Sequence, residues 1–308
     1  MAYRDLAPGT EIVVSGSTSN LGPGFDALSV AVTVYLRLRV LEVRPKDPAW
    51  LDMHFPGGAP TGENRIAMGF RAAQTRFGDP VPGLSVEIES DIPMRAGLGS
   101  SAAATVAGMR LYEAATRPRD IGDLMVIASK IEGHPDNAAA ALLGGITLSC
   151  QHDDGRISTR AWAWPDEVRF VIGTPQAQLE TSFARQVLPA EIPMRDAVFN
   201  LQRALLLVRA LETRRYDDLR EALRDRWHQP ARQDYVPGLE EALAIDHPSV
   251  LGAYLSGAGP SIALLARAGQ EQDAAAQLAA IYTRLGVAYT IRSLSAHQPG
   301  DFIRTASS

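Results

Sequence analysis

Apolar and polar positions alternate along residues 30–43, where Val32, Val34, Leu36, Leu38 and Val40 interleave with Thr33, Tyr35, Arg37 and Arg39. A period of two puts each set on its own face of a strand, so this stretch predicts a half-buried sheet strand. Further strands are predicted at residues 11–15 and 84–89, with a helical period at 64–76. A glycine-serine turn follows 84–89 and leads into an alanine-rich helix from about residue 102 to 115. Helices are expected next at 121–131 and 137–143, then strands at 145–149 and 157–164. The remainder reads as strand 168–172, helices 195–212 and 216–224, strands 251–255 and 261–266, helix 272–285 and strand 288–293. Helices laid on antiparallel strands make an α+β chain, with a domain boundary near Pro165.

At 308 residues, with 46% hydrophobic and 21% charged content, the chain is long enough for two cores. A net charge of −5 and basic residues scattered singly argue against a nucleic-acid partner, which needs a basic track to neutralise phosphates. The single cysteine, Cys150, excludes an internal disulfide and fits a reducing compartment. No apolar run approaches the roughly 18 residues of a membrane span. The first residues carry charge and proline where a signal peptide needs an apolar core. The expectation is a cytoplasmic protein with a small-molecule ligand, no membrane and no nucleic acid.

The turn after residue 89 contains Pro93, Arg95, Ala96, Gly97, Leu98, Gly99, Ser100, Ser101 and Ala102. Gly97 and Gly99 remove Cβ atoms that would hold a ligand off the backbone, and Ser100 and Ser101 are expected to cap the helix. Free N–H groups and the positive end of the helix dipole favour an anion there. A Walker loop would place a lysine directly before its serine or threonine, yet the only lysines are Lys46 and Lys130. Taken alone, the turn is equally compatible with the start of a packed helix. Two more glycine turns, at residues 17–26 and 255–261, taken singly read equally as tight connections.

Together the three turns resemble, in order and spacing, the three motifs of the GHMP kinases, the superfamily of galactokinase, homoserine kinase, mevalonate kinase and phosphomevalonate kinase. Residues 19–26, 132–137, 181–185, 195–203 and 228–232 are similar to segments of the homoserine kinase family. The resemblance implies an N-terminal nucleotide-binding domain of the ribosomal-protein-S5-like α/β kind over 1–164. It implies a C-terminal ferredoxin-like α+β sandwich over 165–308 that contributes to the substrate site. It further implies ATP and Mg²⁺, with L-homoserine phosphorylated to O-phospho-L-homoserine on the route to threonine. A homodimer is the expected assembly. The alternatives are another small amino alcohol as acceptor, such as threonine, or a non-catalytic ligand-binding member.

The resemblance also carries roles. Asn20, Asp26 and Asn137 would hold the amine and hydroxyl end of the acceptor, and Arg185 and Arg232 would clamp its carboxylate with Thr181 nearby. Asn137 and Arg185 are the candidate catalytic residues. Ser101 and Glu132 would hold the metal, although a glutamate at a helix end is also a common solvated cap. Asn64 and residues 93–102 would contact the nucleotide, with Arg95 reaching a phosphate. Asn64 serves equally as a helix N-cap, and Ser261 as a strand-end hydroxyl. Asn137 stands where mevalonate kinases are expected to carry an aspartate base, and an amide accepts no proton. Asp136 lies one helical step, about 100°, away and need not face the same site. Direct attack without a dedicated base is the expected chemistry. His134 and His228 have no partner at metal-ligand spacing and read as structural.

Overall fold

The computed structural model describes residues 6–47, 50–58, 62–177, 181–300 and 303–304. The first part of the chain forms β1 (Glu11–Ser19), β2 (Leu28–Arg44), β3 (Leu51–His54), α1 (Arg65–Phe77), β4 (Gly83–Ser90), α2 (Ser100–Ala115), α3 (Ile121–Glu132), α4 (Asp136–Leu143), β5 (Ile146–Gln151) and β6 (Ile157–Trp162). The second part forms β7 (Val168–Pro175), α5 (Thr181–Gln186), α6 (Met194–Glu212), α7 (Leu219–Ala222), α8 (His228–Arg232), α9 (Leu239–Leu243), β8 (Val250–Leu255), β9 (Ile262–Arg267), α10 (Glu271–Leu285), β10 (Tyr289–Leu294) and β11 (Ile303–Arg304).

The alternation along β2 is realised in three dimensions. Val32, Val34, Leu36, Leu38 and Val40 are buried, Thr33, Tyr35 and Arg37 are half-buried and Arg39 is exposed. β2 is the spine of the first sheet, pairing with β1, β4 and β5, and β6 extends it beyond β5. All these pairings are antiparallel, and β3 joins β4 in parallel. Helices α1, α2 and α4 carry apolar faces into the core, and α2 buries residues all round because other elements enclose it.

The second sheet has the order β10-β7-β9-β8, antiparallel throughout. Strand, helices, hairpin, helix and strand in that order give the expected ferredoxin-like half. One apolar cluster runs from β2 and α2 through Trp164 and Phe170 to Leu207, Leu219 and Tyr254, so the two halves share a core. After β10 the chain returns to the first sheet: Ala296 bridges Val32, the Gly145 amide donates to the His297 carbonyl, and β11 pairs with β1.

Several boundaries differ from the pattern-based reading. Strand 157–164 stops at Trp162, because Trp164 turns into the core and its indole N–H donates to the Val168 carbonyl at 2.9 Å. The helix expected over 216–224 is a 3₁₀ turn at Tyr216–Asp218 followed by the four-residue α7. β3 and the short α5, α8 and α9 have too few residues to show a period. Among the described residues no helix is long and apolar enough to cross a membrane.

Candidate active site

A cleft of about 370 Å³ lies where the three glycine turns meet. β1 continues through Ser19, past a bulge between Ser15 and Gly16, so the first motif starts inside a strand rather than after it. The period of two then sends Ser17 and Ser19 one way and Thr18 the other. Thr18 shares hydrogen bonds of 2.9 Å with the hydroxyls of Tyr254 and Ser256, which ties the first motif to the third. Ser256 donates to the Gly97 carbonyl at 2.7 Å, and Asn20 donates to the Gly257 carbonyl at 2.8 Å. Through these bonds the three turns form one wall.

On the second motif the structure corrects the capping expectation. Helix α2 begins at Ser100, its N-cap is Gly99 in the left-handed region at φ 69°, and no side chain caps it. The first N–H groups of α2 are therefore not taken by Ser100 or Ser101 hydroxyls, which favours an anion more than the expected cap would. A Cβ on Gly99 would overlap the Ser17 hydroxyl, and one on Gly97 would overlap the Ser256 carbonyl. Both positions need glycine for close approach as well as for positive φ.

Asn137, in the first turn of α4, is held by the two β1 serines. Its Oδ1 accepts from the Ser17 hydroxyl at 2.8 Å and its Nδ2 donates to the Ser19 hydroxyl at 3.1 Å. Asp136 beside it is buried and also lines the cleft, so the 100° argument that set it apart fails. At the first position of α4, its side chain can reach back to the turn ahead of the helix. There it meets His134 Nδ1 at 2.5 Å. Burial alone would raise the Asp136 carboxyl and lower the His134 imidazole, but their hydrogen bond and mutual charge outweigh it. Asp136 therefore titrates below its ordinary range and His134 above its own. One ligand atom each of Asp26, His134 and Asp136 lies within 4.8 Å of the others.

Asp26 and Arg185, assigned to opposite ends of the acceptor, face each other. Arg185 donates from both terminal nitrogens to the Asp26 carboxylate, at 2.9 and 2.7 Å. Arg232 is only 2% exposed, and its Nε donates to the Ala184 carbonyl at 2.9 Å. Its Nη1 reaches the Gly257 carbonyl and His228 Nδ1, both at 3.3 Å. Burial, then repulsion from Arg185, lowers the Arg232 guanidinium to about 10, which leaves it charged at neutral pH. The His228 Nε2–H donates to the Gly22 carbonyl at 2.7 Å, leaving Nδ1 to accept from Arg232. Burial lowers the His228 imidazole, in keeping with that neutral tautomer. The Phe25 ring lies 5.6 Å from the Arg185 guanidinium and 5.5 Å from that of Arg232.

Of the residues singled out by sequence, Asn20, Asp26, Arg95, Ala96, Gly97, Gly99, Ser100, Ser101, Ala102, Glu132, Asn137, Arg185 and Arg232 line this cleft. Pro93, Leu98 and Asn64 do not. Leu98 is in the core, and Asn64 caps α1 by accepting from the Ala67 amide at 3.0 Å. Thr181 opens α5, and its side chain lies outside the described residues. The Ser261 hydroxyl pairs with that of Thr174 at 2.7 Å, the strand-end role. Ser19, Arg65, His134 and Asp136 line the cleft without having been singled out for it. Of these, His134 and Asp136 stand in the run 132–137 that resembles the family, and that adjacency was the available signal.

Two family descriptions match the chain: "GHMP kinases N terminal domain" over residues 64–145 and "GHMP kinases C terminal" over residues 207–287. The homoserine kinase of a Nostoc species is 37% identical over 298 residues, covering 92% of this chain and 95% of that protein. The homoserine kinase of Thermus thermophilus is 39% identical over 265 residues, covering 84% of this chain and 88% of that protein. In fold, the chain is similar to the crystal structure of homoserine kinase from Cytophaga hutchinsonii, with a TM-score of 0.85, 22% identity, and 99% and 100% of the two chains covered. The chain belongs to the homoserine kinase family of the GHMP kinases, which makes it an ATP-dependent kinase.

Proposed function

We propose that this chain transfers the γ-phosphoryl group of ATP to the hydroxyl of L-homoserine, giving O-phospho-L-homoserine and ADP for threonine biosynthesis in the cytoplasm. The observation that carries the reading is the meeting, in one cleft, of an uncapped helix N-terminus with two arginines and a carboxylate. The first suits the phosphates of ATP and the second suits a zwitterionic acceptor. The reading divides the chain at residues 164 and 165, supported by two sheets that share no strand.

Arg232, locked by backbone carbonyls and His228, is the fixed half of the carboxylate clamp. Arg185 is the movable half, because it must share or leave Asp26 when an acceptor ammonium takes that carboxylate. The Asn137 amide, oriented by Ser17 and Ser19, positions the hydroxyl. Ser101 and Glu132 line the same cleft, and Glu132 is oriented by the Thr105 hydroxyl, which donates to its Oε1 at 2.6 Å. This all-oxygen donor pair fits Mg²⁺, which would supply neutralisation of the β and γ phosphate oxygens.

The carboxylates of the cleft are poorly disposed to act as a base. Asp136 is held ionised by His134, Asp26 faces Arg185, and Glu132 takes the Thr105 hydroxyl. The hydroxyl oxygen therefore attacks the γ-phosphorus as the bond to the β-bridging oxygen breaks, and its proton leaves late to a phosphoryl oxygen. The test is Mg²⁺-dependent ADP release with L-homoserine beside L-threonine, L-serine, mevalonate and galactose. Preference for another acceptor overturns the roles given to the two arginines, and absence of turnover with all five overturns the kinase reading. An Asp26→Asn variant that binds homoserine normally yet loses turnover would point to Asp26 as a base and sink the base-free scheme.

A further inference from the structure

Phe25 is the odd member of the cleft. Among the described residues that line it, Phe25 is the one large apolar side chain, and it stands half-buried amid charged groups. Its ring centre lies 5.6 Å from the Arg185 guanidinium and 5.5 Å from that of Arg232. Both are within the roughly 6 Å at which a cation is drawn to an aromatic ring. The ring also packs on Trp227 and His228, at 4.8 and 5.2 Å between centres.

The loop that carries Phe25 is shaped to hold it there. Asn20, Leu21 and Asp26 take positive φ, at 73°, 41° and 55°, a strain that persists only where the surroundings over-determine the chain. The Asp26 amide donates to Asn20 Oδ1 at 3.1 Å, and the Ala27 and Leu28 amides both donate to the Gly24 carbonyl. Gly22 sits so close to the end of α7 that a Cβ there would overlap the Leu223 carbonyl. The first motif is thereby seated on the C-terminal half, beside the helix that bears Arg232.

We propose that Phe25 is a positioning residue for the carboxylate clamp, its ring holding the Arg185 and Arg232 guanidiniums where both can reach one carboxylate, a role that rests on the kinase reading above. Two like charges converging on one point repel: after burial, repulsion from Arg185 is what most lowers the Arg232 guanidinium. Asp26 offsets the charge of Arg185 through two hydrogen bonds, but the acceptor ammonium takes that carboxylate over. The ring stays through the exchange. A carboxylate in place of Phe25 would hold the arginines too, yet it would repel the acceptor's own carboxylate. An aromatic ring attracts cations while carrying no net charge.

The test compares L-homoserine with aminopropanol, the same acceptor with hydrogen in place of its carboxylate, in the unaltered chain, Phe25→Met and Phe25→Tyr. Phe25→Met keeps most of the volume and loses the ring. It should raise the KM for homoserine about tenfold with kcat within about twofold, and move kcat/KM for aminopropanol less than about twofold. Phe25→Tyr keeps the ring and should stay within about threefold of the unaltered KM. In an Arg185→Gln chain the repulsion is gone, so Phe25→Met should add less than about threefold. An unmoved KM for ATP shows that each variant is folded, and Phe25→Leu, judged in the same way, stands in if Phe25→Met is not. Equal loss with both acceptors, a full tenfold loss in the Arg185→Gln chain, or a tyrosine variant as poor as the methionine one overturns the role of Phe25 and leaves the kinase reading in place. An unaltered chain that prefers aminopropanol, or turns over neither acceptor, overturns that reading and the role of Phe25 with it.

Discussion

The two ends of the cleft are built from different materials. The end beneath α2 is made of backbone, with Gly97 and Gly99 at positive φ and an uncapped helix N-terminus. The end beneath α8 is made of charged side chains, Asp26, Arg185, Arg232 and the His134–Asp136 pair, drawn from four separate segments. A backbone site tolerates no added atom but needs no particular charge. A side-chain site depends on each group being neutralised and aimed by its neighbours.

The sharpest test of that contrast is Arg232→Met, which removes a buried guanidinium, takes its Nε–H from the Ala184 carbonyl and leaves the Gly257 carbonyl to Asn20 alone. It is expected to lower kcat/KM for the acceptor on the order of 100-fold or more while the KM for ATP moves less than about twofold. Steady-state kinetics with each substrate varied in turn checks it. Gly99→Ala attacks the other end, because the left-handed φ and the overlap with Ser17 cost about 1–3 kcal/mol together. KM for ATP should rise roughly tenfold. Since Ser17 also orients Asn137, kcat should fall with it, which would blur the separation of the two ends.

Asn64→Ala asks how far the end proposed for the nucleotide extends. Loss of the cap should cost about 1 kcal/mol of stability, read by denaturant unfolding, with the KM for ATP unchanged. A raised KM would bring Asn64 into the nucleotide site. The smallest effect concerns pH. Folding raises the His134 imidazole, so its stabilising charge is fully present below the ordinary value of 6.5 and is lost as pH rises through the raised folded value. Asp136 is lowered, so its share is present above its ordinary value of 3.8 and is lost as pH falls through the lowered one. Thermal melts should decline by about 2 °C as pH rises from 6.5 through the raised folded value, and His134→Gln should flatten that decline.

The same contrast decided what could be read from sequence. The β2 alternation and the three glycine turns are local signals, and each led to a strand or to the backbone end of the cleft. Arg185 and Arg232 were singled out only through family resemblance, because nothing beside a lone arginine says what it faces. Asp136 was set aside on helical geometry that holds inside a helix and fails at its first residue. The Ser100 and Ser101 cap was a sound statistical expectation, overturned because Gly99 closes the turn one step earlier. Short elements such as β3 and α8 are fixed by tertiary contacts rather than by their own pattern.

The return of the chain after β10 bears on how the protein is made. β1 and β2 emerge early from the ribosome, yet β1 pairs with β11, and Val32 and Gly145 wait for partners at Ala296 and His297. The N-terminal half is therefore the first synthesised and the last completed, and its sheet edge stays unfinished until the segment after β10 arrives.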